Sequence, residues 1–202
     1  STRVDYGDST PLRACSFTKE GYTFEGWRAK RTSDGKYIGF RKGSSEYEWL
    51  TGDEAYNWLL YDDEEPIATT VRTGNVELTA MWIADNYAIE FNAGDGVGEP
   101  LSFTQAYADE FKIPDGGYTQ EGYIFDGYLA TRDYDGRTYG CLEGSDKAQW
   151  LDPEDVSKAY HFRTGDSVSK LTKDGTVTLT AQYKFAYTFE GNGSTLVEYV
   201  GT

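Results

Sequence analysis

The chain has 202 residues, 34 acidic and 19 basic, for a formal net charge of −15, and 16% of it is aromatic. So acidic a surface argues against nucleic acid, whose backbone is held by clustered Lys and Arg, and one His with two Cys falls short of the four ligands of a Cys/His zinc site. No apolar run of 18 residues occurs, so no membrane-spanning helix is expected, and nothing calls for a cofactor. His161 is the single histidine and makes a triad built on His a poor expectation. Two Cys do not amount to a disulfide framework. The chain opens at Ser1 without a signal peptide, which reads as a mature fragment.

The length suits one large domain or two small ones, and abundant Gly, Tyr, Thr and Val suits strands joined by tight turns. In chain order, Phe24 and Trp27 open a strand pattern that Leu78, Ala80 and Trp82 close. Their period-two alternation assigns them to the core rather than to a binding platform. After Trp27 comes a hairpin centred on Asp34-Gly35, a dipeptide suited to a two-residue turn, with Arg31 placed to pair with Asp34 across it. Tyr47 and Trp49 come next, two residues apart and so facing one way in an extended segment. Thr51-Gly52-Asp53-Glu54 has the form of a capping box, and Ala55, Trp58 and Leu59 stand after it at helical spacing, so a short helix with those three buried is expected here. Tyr56 lies off that stripe and is expected to be exposed. The acidic run Asp62-Asp63-Glu64-Glu65 lacks EF-hand spacing and reads as solvated.

The same series recurs 101 residues later, without a gap, with 22 identities between residues 6–82 and 107–183. Phe125, Tyr128, Leu179, Ala181 and Tyr183 are the second core set. Asp135-Gly136 is the second hairpin, with Arg132 before it. Trp150 falls on Trp49, and Asp152-Pro153 caps a second short helix with Val156, Ala159 and Tyr160 buried. Tyr87–Phe91 is echoed at Phe185–Phe189. The expected organisation is therefore unit 1 over residues 1–86 without its first strand, unit 2 over 87–184, and the opening hairpin of a third unit over 185–202, with the missing strand upstream of Ser1.

Four features carry a family resemblance. These are the opening strand that ends in an Asn/Gly-rich turn (Phe91-Asn92-Ala93-Gly94-Asp95-Gly96 and Phe189-Glu190-Gly191-Asn192-Gly193), the Tyr6-Gly7 pair, the Glu-Gly-Tyr-x-Phe-x-Gly-Trp/Tyr block at 20–27 and 121–128, and the closing Leu-Thr-Ala-x-Trp/Tyr strand. Together they resemble the Listeria–Bacteroides, or internalin-type B, repeat. The resemblance implies tandem β-grasp-like units on a bacterial cell-surface or secreted protein, one part of a larger multi-domain chain. Each unit departs from that family by a long insertion, about 28–72 and 129–173, which holds the hairpin and the short helix. The fold class expected is mainly β (α+β).

The insertions carry the aromatics that the cores do not explain: Tyr37, Tyr47, Trp49 and Tyr56 in unit 1, and Tyr139, Gln149 and Trp150 in unit 2. Flat rings cover the C–H faces of a pyranose at low entropic cost, and polar neighbours answer its hydroxyls. A neutral polysaccharide is indifferent to the net charge, whereas a polyanion is repelled. Two copies add avidity on a polymer. The reading is a non-catalytic carbohydrate-binding module for a neutral, starch-like glucan, with Trp49 and Trp150 either platforms or anchors of their own insertions. A protein-binding adhesin repeat and a structural spacer array are the alternatives. Among so many acids a carboxylate pair such as Glu48 and Asp53 arises inevitably and does not argue for glycoside hydrolysis.

Overall fold

The computed structural model describes residues 11–66, 74–191 and 194–200, with side chains to residue 185. Expectations that fall on residues 1–10, including Tyr6-Gly7, on 67–73 and on Asn192-Gly193 lie outside the described residues. The protein is mainly β and divides into two compact units, Ser1–Ile83 and Ala84–Thr202.

Unit 1 forms one sheet from β1 (Tyr22–Arg31), β2 (Tyr37–Phe40), β3 (Tyr47–Leu50), β4 (Asn57–Trp58), β5 (Leu60–Tyr61) and β6 (Val76–Ala84). Strands β1 and β2 part after the pair Lys30 and Tyr37. The segment β4–β5 fills the fork, with Gly39 and Phe40 of β2 opposite Trp58 and Asn57, and Trp27 and Arg28 of β1 opposite Tyr61 and Leu60. Unit 2 builds the same fork. β10 (Tyr123–Arg132) and β11 (Thr138–Cys141) part after Thr131 and Thr138. β13 (Lys158–Ala159) pairs with β11 and β14 (His161–Phe162) with β10, while β12 (Gln149–Leu151) lies on the outer edge of β11. Every one of these pairings sits 101 residues beyond its counterpart in unit 1.

The fork explains why the short helices do not form. Residues 51–54 make a turn, and residues 153–155 a single 3-10 turn. Among the described residues that turn is the only helical element. The capping contacts exist, since Glu54 Oε2 accepts from the Thr51 backbone N–H and hydroxyl, each at 2.9 Å, but they close a turn. Beyond it, the exposed edges of two diverging strands offer N–H and C=O groups that must be paired. An extended segment satisfies both edges at once, which a helix cannot. The stripe expected to be buried is consequently redistributed: Ala159 and Tyr160 are exposed, and Trp58 is half-buried against Tyr37.

Glycines admit the inserted segment. A Cβ on Gly127 (φ +100°) would stand 2.6 Å from the Phe162 carbonyl oxygen, and one on Gly140 2.8 Å from that of Lys158. The hairpin turns also differ from the two-residue form. Arg31 N–H bonds to the Lys36 carbonyl, and Gly35 takes the positive φ of 72° while Asp34 does not. A type I′ turn needs both, so four residues lie inside the closing pair. The ion pair across the turn is present in both units: Arg31 Nε donates to Asp34 Oδ1 at 2.9 Å, and Arg132 Nη2 to Asp135 Oδ2 at 2.6 Å.

The rest of unit 2 supplies β7 (Asn86–Asn92), β8 (Leu101–Ala106), β9 (Phe111–Lys112), β15 (Ser167–Val168), β16 (Thr176–Gly191) and β17 (Ser194–Val200). β7 runs parallel to the first part of β16, with β8 outside it. The later part of β16 pairs with β17 as a hairpin. β9 and β15 form a separate two-stranded ribbon. Alternation along β7 sends Tyr87, Ile89 and Phe91 into a core with Tyr128, Ala130, Phe162, Val177 and Leu179. In unit 1, Trp27, Ala29, Ile38 and Tyr61 are the buried centre, with Phe24, Leu78 and Ala80 against it. Cys15 and Cys141 are both free thiols.

In the acidic run, Asp62, Asp63 and Glu64 are exposed, while Asp63 accepts from the Cys15 backbone N–H and Glu65 from that of Asp62. Among the described residues no group of three or more His, Cys, Asp and Glu is placed to hold a metal, and no helix is long and apolar enough to cross a membrane.

Candidate functional site

The aromatic residues singled out in the sequence are distributed unequally. In unit 2, register pairs Tyr139 with Trp150 and Gly140 with Gln149. Tyr139 and Trp150 lie on the core side of the sheet, their rings edge to face at 5.1 Å. Both are half-buried, and with Gln149, Ala148 and Phe162 they line a groove of about 490 Å³. Its other wall is the segment Ser167–Leu171, held in place by the β9–β15 ribbon and by Lys170 N–H on the Tyr107 carbonyl. Arg132 lies over Trp150 at 4.5 Å while pairing with Asp135, so the indole is clamped from one side and meets the groove on another. Burial pushes the Tyr139 phenol up from its ordinary value.

In unit 1 the candidates are split between faces. Tyr47 and Trp49 do share one side, opposite Phe40 and Ile38. Trp49 packs on the core under Arg31, with its Nε1 buried. Tyr47 is 53% and Tyr56 71% exposed, Tyr56 being open although the helix that would have turned it outward does not form. Tyr37 faces the other way, edge-on to Trp58 and covered by Arg28. It does not correspond to Tyr139, whose counterpart is Ile38. Nearby, the Thr51 backbone N–H and hydroxyl, and after them Arg41, hold the Glu54 carboxyl at about 2.

Sequence reading missed a second feature of unit 2. Asp126 sits at a bulge in β10 and gathers three partners. Its Oδ1 accepts from Lys184 Nζ at 2.9 Å and from Arg163 Nη1 at 3.1 Å, and its Oδ2 faces His161 Nδ1 at 3.1 Å. Burial alone would raise the Asp126 carboxyl, but the bonds from Lys184, Arg163 and His161 outweigh it and hold the group at about 2. Both atoms near Nδ1 are acceptors, the Asp126 carboxylate and its backbone carbonyl, so Nδ1 carries the hydrogen and Nε2 is directed away. His161 looked isolated because its partner lies 35 residues away in the chain; only the pairing of β14 with β10 brings them together.

Comparison with known protein families, curated proteins and solved structures finds no match for this chain.

Proposed function

We propose that this chain is a non-catalytic carbohydrate-binding part of a bacterial surface or secreted protein, and that unit 2 holds a neutral polysaccharide in the Trp150 groove. The observation that carries this reading is the composition of that groove. Trp150 and Tyr139 offer ring surface for the C–H face of a sugar, and Gln149, Ser167, Ser169 and Lys170 stand along the same walls to meet its hydroxyls. A mostly apolar floor with a few polar groups is the usual make-up of a ligand site of this size, and the clamp by Arg132 means that little side-chain freedom is lost on binding.

The likeness to Listeria–Bacteroides repeats belongs to the same proposal. Its support is the recurrence of pairings at 101 residues and the order β8–β7–β16–β10 with β7 and β16 parallel, since a β-grasp sheet also sets its first and last strands side by side in parallel. The helix of that fold has no counterpart among the described residues. An adhesin reading is favoured by one observation, the exposed Tyr47 and Tyr56 beside Phe40 on unit 1.

Affinity electrophoresis in soluble glucans tests the proposal. Retention of the wild type and its loss in Trp150→Ala are expected. No retention on any polysaccharide overturns carbohydrate binding, and retention unchanged by Trp150→Ala removes the groove as the site.

A further inference from the structure

Beside β14 a second recess of about 540 Å³ is lined by Asp126, Lys158, Tyr160, His161, Arg163 and Asp166; it adjoins the Trp150 groove through Tyr160, whose ring packs on Tyr139 and Phe162. We infer that this recess of unit 2 is a binding site for a carboxylate-bearing sugar, a hexuronic acid residue. Three permanent cations, Lys158, Arg163 and Lys184, gather there around two carboxylates, in a chain that is otherwise strongly acidic. Charges beyond a Debye length of about 8 Å are largely screened at physiological ionic strength. The local set, not the −15, decides which ligand is attracted.

The donors are aimed and have capacity left. Arg163 uses Nη1 on Asp126, and its backbone N–H is held by Asp166 Oδ2 at 2.7 Å, so the guanidinium is fixed from both ends. Its Nε and Nη2, and the Lys158 ammonium, have no partner among the described residues. A carboxylate placed between them gains charge-assisted hydrogen bonds. His161 adds a second kind of recognition. With Nδ1–H donated to Asp126, Nε2 is the ring atom left to meet a ligand, and in the neutral form of the ring it accepts, which suits a hydroxyl. Tyr160 supplies an exposed ring as one wall, braced edge-on by Tyr139 at 5.5 Å and Phe162 at 5.0 Å. A carboxylate, a neighbouring hydroxyl and an apolar ring face on one small molecule describe a uronic acid. An acidic peptide would use the cations and leave the imidazole acceptor and the Tyr160 face without a role.

Unit 1 is an internal control. It makes the same pairings with Glu25, Asn57, Leu59, Leu60, Asp62 and Ile83 where unit 2 has Asp126, Lys158, Tyr160, His161, Arg163 and Lys184. The fork therefore folds without the cluster, and folding alone does not account for it.

His161 is the single histidine of the chain, so its imidazole resonances report the site without ambiguity. The full chain is titrated with a trisaccharide of hexuronic acid, with the carboxyl-reduced trisaccharide and a hexaglutamate peptide in parallel, while the His161 ring nitrogens are monitored by NMR. Saturable movement of Nε2 with the uronide alone is expected. Binding should weaken at least about tenfold in Arg163→Gln and persist in Trp150→Ala, which separates this site from the groove. Lys158→Gln removes an ammonium that has no protein partner among the described residues, and so tests the carboxylate contact without disturbing Asp126; it too should weaken the uronide. A still His161, equal affinity in both cation variants, or movement caused as strongly by the reduced sugar or by the peptide overturns the assignment.

Discussion

Gly127→Ala isolates the contribution of the inserted segment. Gly127 has φ of +100°, and an added Cβ would meet the Phe162 carbonyl oxygen at 2.6 Å and His161 Cβ at 3.1 Å. The nearest obstacle is backbone, so relief requires β14 to move off β10. Positive φ costs an L-residue about 1–2 kcal/mol and forced overpacking about 1–3, giving about 2–5 kcal/mol in all. Gly136→Ala is the matched control: φ is +69° but nothing lies within 4 Å of the new methyl, so only the conformational part, about 1–2 kcal/mol, applies. Trp150 is the one tryptophan of unit 2, and its fluorine resonance in a 5-fluorotryptophan-labelled chain reports that unit during a urea titration. With a slope of about 2 kcal/mol per molar, Gly127→Ala should lower the Trp150 midpoint by about 1–2.5 M, and Gly136→Ala by clearly less. Equal shifts in the two variants would refute the account of the fork as a close backbone contact.

The same contacts set three other outcomes. The Asp126 carboxyl, held at about 2, binds its proton less readily in the native state than in the unfolded chain. Its contribution to stability is therefore complete above about pH 4 and is lost as the pH falls towards 2; Asp126→Asn should flatten the urea midpoint over that window, measured between pH 5 and 2.5. Trp150→Ala removes a half-buried ring with contacts to Tyr139 and Arg132 and should cost about 2–3 kcal/mol, below the value for a fully buried Trp, with unit 2 still folded by circular dichroism. Tyr56→Ser, at an exposed site, should change stability by no more than about 0.5 kcal/mol; a loss of several kcal/mol would place Tyr56 in a packed environment.

Local pattern carried part of the two core sets. Phe125 and Tyr128 stand three apart and reach one side only through the bulge in β10. A period of two, by contrast, needs no knowledge of the partner strand, because the pleat alone sends Leu78 and Ala80, or Leu179 and Ala181, to one side. The ion pairs Arg31–Asp34 and Arg132–Asp135 were legible for the same reason, since both members lie within one turn. The shared side of Tyr47 and Trp49 also comes from spacing alone, whereas Tyr56 is exposed without the helix from which its exposure was expected.

Tertiary structure decided the rest. Thr51–Glu54 and Asp152-Pro153 are helix starts by every local rule, yet the residues after them are extended, because two diverging strands left edges that only another strand can pair. That choice sets the grooves. It turns Tyr160 outward and separates Tyr37 from Trp49. It also carries His161 to Asp126 and sets Trp150 opposite Ser167–Leu171. Contacts between residues tens of positions apart leave no trace in local periodicity. They arise from the demand that buried N–H and C=O groups be paired, which is met only when the whole sheet is assembled.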